Sequence, residues 1–435
     1  MPLWLIPMVY TVASIVCAFV LPRLEHALLP HEASSVSVSA AMSVYSAISS
    51  GMMALTGVAF AIAFVIMQFG AGAYSPRLAI VFGRKPIVFH AMGLFFATFA
   101  YSLAALAWVD RNGSGRVPQY SAYLVFVLLV ASMLMFARLV QSLSDLQIHN
   151  VLQDVGARGR AVIRTMFPNI ETGQGQPTPV DVPVDFGPLA QTVTYEGEPC
   201  AITRFDIPVL VRLAASVDGV IVTECSVGDT LVDAEVLLRV YGASRSLPEH
   251  ALTSAIHVGA TRTFEQDPRY AIRLLVDIAI RALSPAINDP TTAVQALDQI
   301  EDLLRRLGRR ELDTGRAFDA SGRLRVVFPT PTWDDYLGLA FDEIRQFGAT
   351  SVQVARRMRS ALIGLKGTVV TDERRRALQS YLDHLNLSVG RSDFDDRDKV
   401  VALEEDRQGL GLSRKHAALT KSDALPARPV AVDGA

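Results

Sequence analysis

The densest group of side chains capable of chemistry in this 435-residue chain lies between Arg262 and Asp289. Arg262, Gln266, Asp267, Asp277, Arg281, Asn288 and Asp289 sit there among apolar neighbours. Two arginines so placed suit a ligand pocket, in which Arg262 and Arg281 grip an anion or a nucleotide through forked hydrogen bonds. The same residues also suit a purely structural network. Asp277 and Arg281 are four apart and can pair on one helix face, while Asp289 stands where a helix cap belongs. Catalysis by this cluster is a third reading, and the residue types leave all three open.

The rest of the chain carries no enzyme signature. It has no Walker lysine loop, no HExxH pair and no GxSxG elbow. Its eight histidines form no metal-spaced pair, and His257 is the one beside the polar cluster. Asp334 and Asp335, next to Trp333, read as caps for the helix that follows. No catalytic residue, metal or cofactor is therefore expected. The three cysteines, Cys17, Cys200 and Cys225, are too few for a disulfide framework, and each reads as a small inert side chain. A net charge of −2 gives no electrostatic case for nucleic acid.

Several elements must position the cluster. Residues 270–283 have a helical period, with Ile272, Leu275, Ile278, Ala279 and Ala282 on one face. Pro285 and Pro290 break it, and a second helix is expected over 291–307, with Asp289 at its cap and Pro290 in its first position. A further helical block covers 334–387, and the last residues read as a flexible tail. Upstream, β-branched runs at 191–195, 219–225 and 231–241 flank a helical run at 207–216. The pair Gly228-Asp229 between the last two runs is a hairpin signal. This strand–helix–strand–turn–strand pattern is similar to half of a lipoyl-like module. No lysine occurs between Lys85 and Lys366, so covalent attachment of lipoate or biotin is excluded there.

The first third of the chain obeys another rule. Crossing a hydrocarbon core takes about 20 apolar residues in a helix. Residues 2–21, 44–69, 87–109 and 120–140 meet that length, with His90 and Arg138 as their only residues with titratable nitrogen side chains. Four such runs predict four transmembrane helices. In the second, Ser50, Ala54, Gly57 and Ala61 form a small-residue face that another helix can approach closely. Arg77, Arg84 and Lys85, with Arg138, Arg158, Arg160 and Arg164, outnumber Arg23, Arg111 and Arg116 on the opposite side. The positive-inside rule then places both termini and the soluble part in the cytoplasm. The first run lacks a basic leader, so it reads as a retained span. No acidic or lysine side chain falls inside a span, which argues against an ion-coupled carrier. The same pattern is compatible with a channel lined by hydroxyls and apolar gates.

Two stretches carry a resemblance: SPRLA at 75–79 through FAYSL at 99–103, and RTFEQD at 262–267 followed by DIAIRALSPAINDP at 277–290. With AFDEIR at 340–345, they make the chain similar to the bacterial predicted membrane proteins catalogued as domain of unknown function 2254. Ala286 and Thr291 depart mildly from the pattern and leave the turn intact. The resemblance implies an inner-membrane location and points to Ser75, Pro76 and Arg77 in the basic loop, but it implies no activity. The expected fold class is membrane α-helical with four transmembrane helices, followed by a cytoplasmic α+β domain with a small β-rich module and a helical C-terminal region. The expected boundaries are 1–145 for the transmembrane domain, 146–188 for a juxtamembrane helix and linker, 189–245 for the β-rich module, 246–395 for the helical domain and 396–435 for the tail. Expected partners are the lipid bilayer, further copies of the chain as a homo-oligomer, and a small cytoplasmic ligand. Two functions fit this plan: an oligomeric channel-like or gated pathway, and a membrane-anchored sensor or scaffold. A membrane-bound enzyme fits less well.

Overall fold

The computed structural model describes residues 4–28, 37–72, 77, 86–111, 117–144, 147–170 and 185–411. The chain divides into two compact units, Met1–Val151 and Leu152–Ala435.

The first unit is built from α1 (Leu5–Leu28), α2 (Val38–Gly72), α3 (Pro86–Leu106) and α4 (Gln119–Ser144). Each contains a stretch long and apolar enough to cross a membrane: Leu5–Glu25, Val38–Ile66, Pro86–Leu106 and Gln119–Ser142. Large apolar side chains such as Phe60, Phe64, Phe126 and Leu134 are exposed, as hydrocarbon requires and water would penalise. This is a membrane protein with four candidate spans.

α3 is the central helix, packed against α1, α2 and α4. Its Gly93 lets α1 come close: a Cβ there would lie 3.2 Å from both the Pro7 Cα and the Tyr10 ring. Hydroxyls inside the bundle find one another. Thr98 Oγ1 and Ser132 Oγ are 2.9 Å apart, and Tyr101 Oη and Ser121 Oγ 3.0 Å. At one end of the bundle, the Glu25 carboxylate of α1 accepts the backbone N–H groups of Gln119 (2.5 Å) and Tyr120 (3.2 Å), the first residues of α4. A negative group at a helix N-terminus meets unsatisfied donors and the positive end of the helix dipole.

The small-residue stripe of α2 does not serve this packing. Ser50, Ala54, Gly57 and Ala61 are exposed, and α2 instead buries Ala41, Tyr45, Ser49, Met52, Thr56 and Ala59. A Cβ at Gly57 would have nothing within 4 Å.

α5 (Ile148–Met166), most of which lies in the second unit, is amphipathic. Its Leu152, Val155, Val162 and Ile163 are buried, each contributing about 1.5–3 kcal/mol relative to exposure. The second unit continues with β1 (Leu189–Thr194), β2 (Cys200–Phe205), α6 (Ile207–Ser216), β3 (Val220–Thr223), β4 (Thr230–Leu231), β5 (Val236–Tyr241), α7 (Glu249–Ser254) and β6 (Ile256–Gly259). Next come α8 (Pro268–Ala282), α9 (Pro290–Leu307), β7 (Arg316–Phe318), β8 (Leu324–Val327), α10 (Trp333–Phe347), α11 (Val352–Lys366), α12 (Asp372–Gly390) and α13 (Asp396–Ala402).

The strands are not confined to 189–245. One sheet has the order β1-β5-β3-β8-β7, with β8 parallel to β3, and a second has the order β4-β2-β6. Arg325 fixes the later pair in place. Buried on β8, it donates to Asp319 Oδ2 (2.7 Å), Asp218 Oδ1 (2.6 Å) and the Gly219 carbonyl (3.1 Å), bridging to the turn before β3. β3 and β5 do pair antiparallel, but Gly228-Asp229 is a turn within their long connection rather than a two-residue hairpin loop. The side chain of Asp229 accepts the Ser226 N–H at 2.7 Å, and Gly228 takes φ +90°, which other residues adopt only under strain. Cys200 and Cys225 are free thiols.

Helix starts follow local chemistry. Thr332 and Asp335 form a reciprocal capping box at α10, so Asp335 acts as a cap residue while Asp334 lies in the first turn. Ion pairs tie the helices together. Arg273 of α8 donates to Asp277 (2.6 Å) and, bidentate, to Glu343 of α10 (2.5 and 2.8 Å). Arg357 of α11 donates to Asp298 and Glu301 of α9, both at 2.6 Å.

Candidate functional site

α8 separates the polar residues of 262–289 into two groups. It has 15 residues, and at about 1.5 Å rise per residue its ends lie roughly 20 Å apart. Arg262, Gln266 and Asp267 belong to the N-terminal end. Arg281, Asn288 and Asp289 belong to the C-terminal end, and Asp277 lies between, held by Arg273. Arg262 and Arg281 therefore do not converge as one anion fork. The helix length, invisible in a count of polar residues, keeps them apart.

The C-terminal group is a turn. Asn288 takes φ +48° and donates its N–H to the Ser284 carbonyl, and the Asp289 N–H reaches the Ala282 carbonyl at 2.8 Å. Asp289 then caps α9, accepting from Thr292 N (3.1 Å) and Thr292 Oγ1 (2.5 Å). Pro285, Ala286, Ile287 and Asn288 are exposed. Of the basic-loop candidates, Arg77 is exposed, while Ser75 and Pro76 lie outside the described residues.

Gln266 and Asp267 of the N-terminal group border a cavity of about 300 Å³. Thr314 and five further parts of the second unit wall it. The five are residues 165–167 at the end of α5, Phe205 and Ile207, Ser226 and Val227, residues 266–269 entering α8, and residues 328–331 with Tyr336 of α10. Gln266 is used structurally, its amide accepting the Phe205 N–H (3.0 Å) and donating to the Phe205 carbonyl (3.2 Å).

Asp267 is different. Only 2% exposed, it stands at the N-cap of α8 yet makes no side-chain cap hydrogen bond. Its Oδ1 receives Arg269 Nε at 3.3 Å, and its Oδ2 has no partner. That oxygen rests against Gly228, where any Cβ would collide with it, and the Arg262 guanidinium stands beside the same point. Burial pushes the Asp267 carboxyl above its ordinary range, opposed by the positive fields of Arg269 and Arg262. Arg269 is committed elsewhere as well, donating to the Val227 carbonyl at 2.5 Å. Across the cavity wall, Tyr336 is fully buried with its hydroxyl unpartnered, and burial pushes that phenol up too.

An unsatisfied buried carboxylate oxygen and phenol each cost about 1–3 kcal/mol or more, so their presence at one cavity calls for a reason. Among the described residues no group of three or more His, Cys, Asp or Glu could hold a metal. Tyr336 and Arg269 were not singled out by sequence, and Gly228 was read there only as half of a hairpin signal. Tyr336 falls on the apolar face of α10 and so reads as ordinary core, and the glycine reads as an ordinary turn.

Residues 1–363 match the model of a family described as predicted membrane protein (DUF2254). An uncharacterized protein of Mycobacterium bovis and one of Mycobacterium tuberculosis are each 28% identical over 370 residues, covering 82% of this chain and 69% of theirs. No solved structure matches.

Proposed function

Because the chain belongs to this DUF2254 family of predicted membrane proteins, whose matched relatives bring no activity with them, we propose from its own geometry that it is a membrane-anchored sensor of a small ligand. The observation that carries this reading is the cavity beside Asp267 and Tyr336, two buried side chains each with a polar atom that no protein group satisfies. Sites that bind small molecules combine an apolar wall with a few polar groups of this kind. The end of α5 forms part of the wall, and α5 follows the fourth span after three residues, so a bound molecule acts on the helix leading from the membrane domain. In this reading the protein resides in a bacterial inner membrane with both termini and the sensing domain in the cytoplasm, as the basic loops suggest. The test is a thermal-shift screen of metabolites against the full chain in lipid nanodiscs, run beside Ser226→Trp, which fills the cavity. Compounds that stabilise the wild type and not the filled variant are expected. A screen in which every hit is shared by both proteins would sink the sensor.

A second reading, a homo-oligomeric channel-like or gated pathway, is favoured by one feature. The stripe of Ser50, Ala54, Gly57 and Ala61 on α2 is open within the described bundle and suits close approach by another copy. Gly57→Cys is expected to form a disulfide-linked dimer in native membranes, and purified protein to conduct in a planar bilayer. Absence of both would leave the anchor alone.

A further inference from the structure

The sensor reading leaves the ligand's chemistry open, and the cavity narrows it. Its wall is largely apolar, with Met166, Phe167, Phe205, Ile207, Phe328 and Pro329 facing it. Its volume of about 300 Å³ equals roughly ten waters at liquid density, room for a single small ring with substituents. Charge decides the rest. Two guanidinium groups, those of Arg269 and Arg262, stand beside the one carboxylate of Asp267, and Arg269 is itself only a quarter exposed. A cationic ligand would meet that excess positive charge within a poorly screened wall. An anion fares no better. The Nε and one terminal nitrogen of Arg269 are already spent on Asp267 and on the Val227 carbonyl, and an anion would also face the Asp267 carboxylate. What Asp267 Oδ2 lacks is a donor: an ionised carboxylate only accepts, while the unpartnered Tyr336 Oη can give or take one hydrogen bond.

Resting on the sensor reading, we propose that the cavity binds an uncharged small molecule with an apolar, ring-sized body. One O–H or N–H of that molecule donates to the Asp267 carboxylate and a second polar atom meets the Tyr336 hydroxyl, both side chains turning toward the cavity to do so, because neither polar atom presents surface in the unliganded fold. A hydroxyl suits Asp267 in both of its protonation states, because it accepts as readily as it donates. This differs from the anion or nucleotide that the two arginines suggest by sequence, since α8 holds Arg281 roughly 20 Å away at its far end.

Three probes of one framework test it: 3-hydroxybenzyl alcohol (uncharged), 3-hydroxybenzylamine (cationic) and 3-hydroxybenzoate (anionic). Binding to the full chain in nanodiscs is read by calorimetry at neutral pH, with empty nanodiscs subtracted. The alcohol should bind at least tenfold more tightly than either charged probe. Asp267→Ala should weaken it tenfold or more. Tyr336→Phe, which keeps the ring in the core and so guards against simple misfolding, should weaken it a few-fold. Tightest binding by the amine or the benzoate would overturn the ligand class and leave the sensor standing. Equal binding of all three probes to wild type and to Ser226→Trp would overturn the ligand class, and the metabolite screen would then decide the sensor on its own.

Discussion

Asp267 and Asp289 begin consecutive long helices with the same dipeptide. Each is followed by proline at the first helical position, and their backbones are nearly alike, at φ −131°, ψ 88° and φ −114°, ψ 83°. Asp289 closes its cap on the backbone and side chain of Thr292. Asp267 has Tyr270 at the corresponding place, makes no cap bond and keeps one oxygen unsatisfied in the interior. The contrast shows that a local motif fixes where a helix starts but not what its first carboxylate is for. One aspartate is spent on its own helix, and the other is held in reserve by its surroundings.

The strongest test of that contrast is at Gly228. Alanine there must adopt a left-handed φ and collide with Asp267, and a loss of about 1–3 kcal/mol, read as a lower melting temperature, is expected. Adding Asp267→Gly should restore part of it. Strict additivity of the two substitutions would mean that the carboxylate is not pressed against this turn.

Next in size is Asp289→Ala, which removes a cap that is fully used and should cost about 1 kcal/mol. Asp267→Asn should leave the melting temperature unchanged or raise it, because it removes only a poorly satisfied buried charge. A drop larger than that of Asp289→Ala would erase the distinction between the two residues.

The smallest effect is the pH dependence. The native pKa of Asp267 is raised, so its contribution is fully present below its unfolded value of 3.8 and lost as pH rises through the native value. Asp319 behaves oppositely. Hydrogen bonds from Ser321 and Arg325 hold its carboxyl well below the usual range, so its contribution is present above the unfolded value and lost as pH falls toward the native one. Wild type should therefore gain stability relative to Asp267→Asn on mild acidification, and should lose it relative to Asp319→Asn in stronger acid. Parallel melting curves across that range for all three proteins would refute both assignments.

How much of this was legible in the sequence depended on how local the cause was. The spans were readable because hydrocarbon imposes length and apolarity on each helix separately, and α6 and α9 because periodicity and the Asp-Pro cap are contained in a few adjacent residues. The face that α2 turns to its neighbours was not readable. Small residues mark where a helix can be approached, whereas Tyr45, Met52 and Thr56 mark the face that α2 in fact buries. The pairing of β8 with β3 was hidden because it joins residues about a hundred positions apart, with Arg325 as the fastening. The cavity was hidden for the same reason: of its walls, only Gln266 and Asp267 stood out in the chain, and Tyr336 gave no sign beyond an apolar helix face.

The Glu25 carboxylate has a further consequence for how the membrane unit is made. Its partners lie 94 and 95 residues downstream, so while the chain is still being synthesised this acid waits without its helix end. The first span packs mainly on the third, but this one contact can close only after the start of the fourth has been made. A truncation after the third span should leave Glu25 open to water and to carboxyl-directed labelling, and extension through the fourth should hide it.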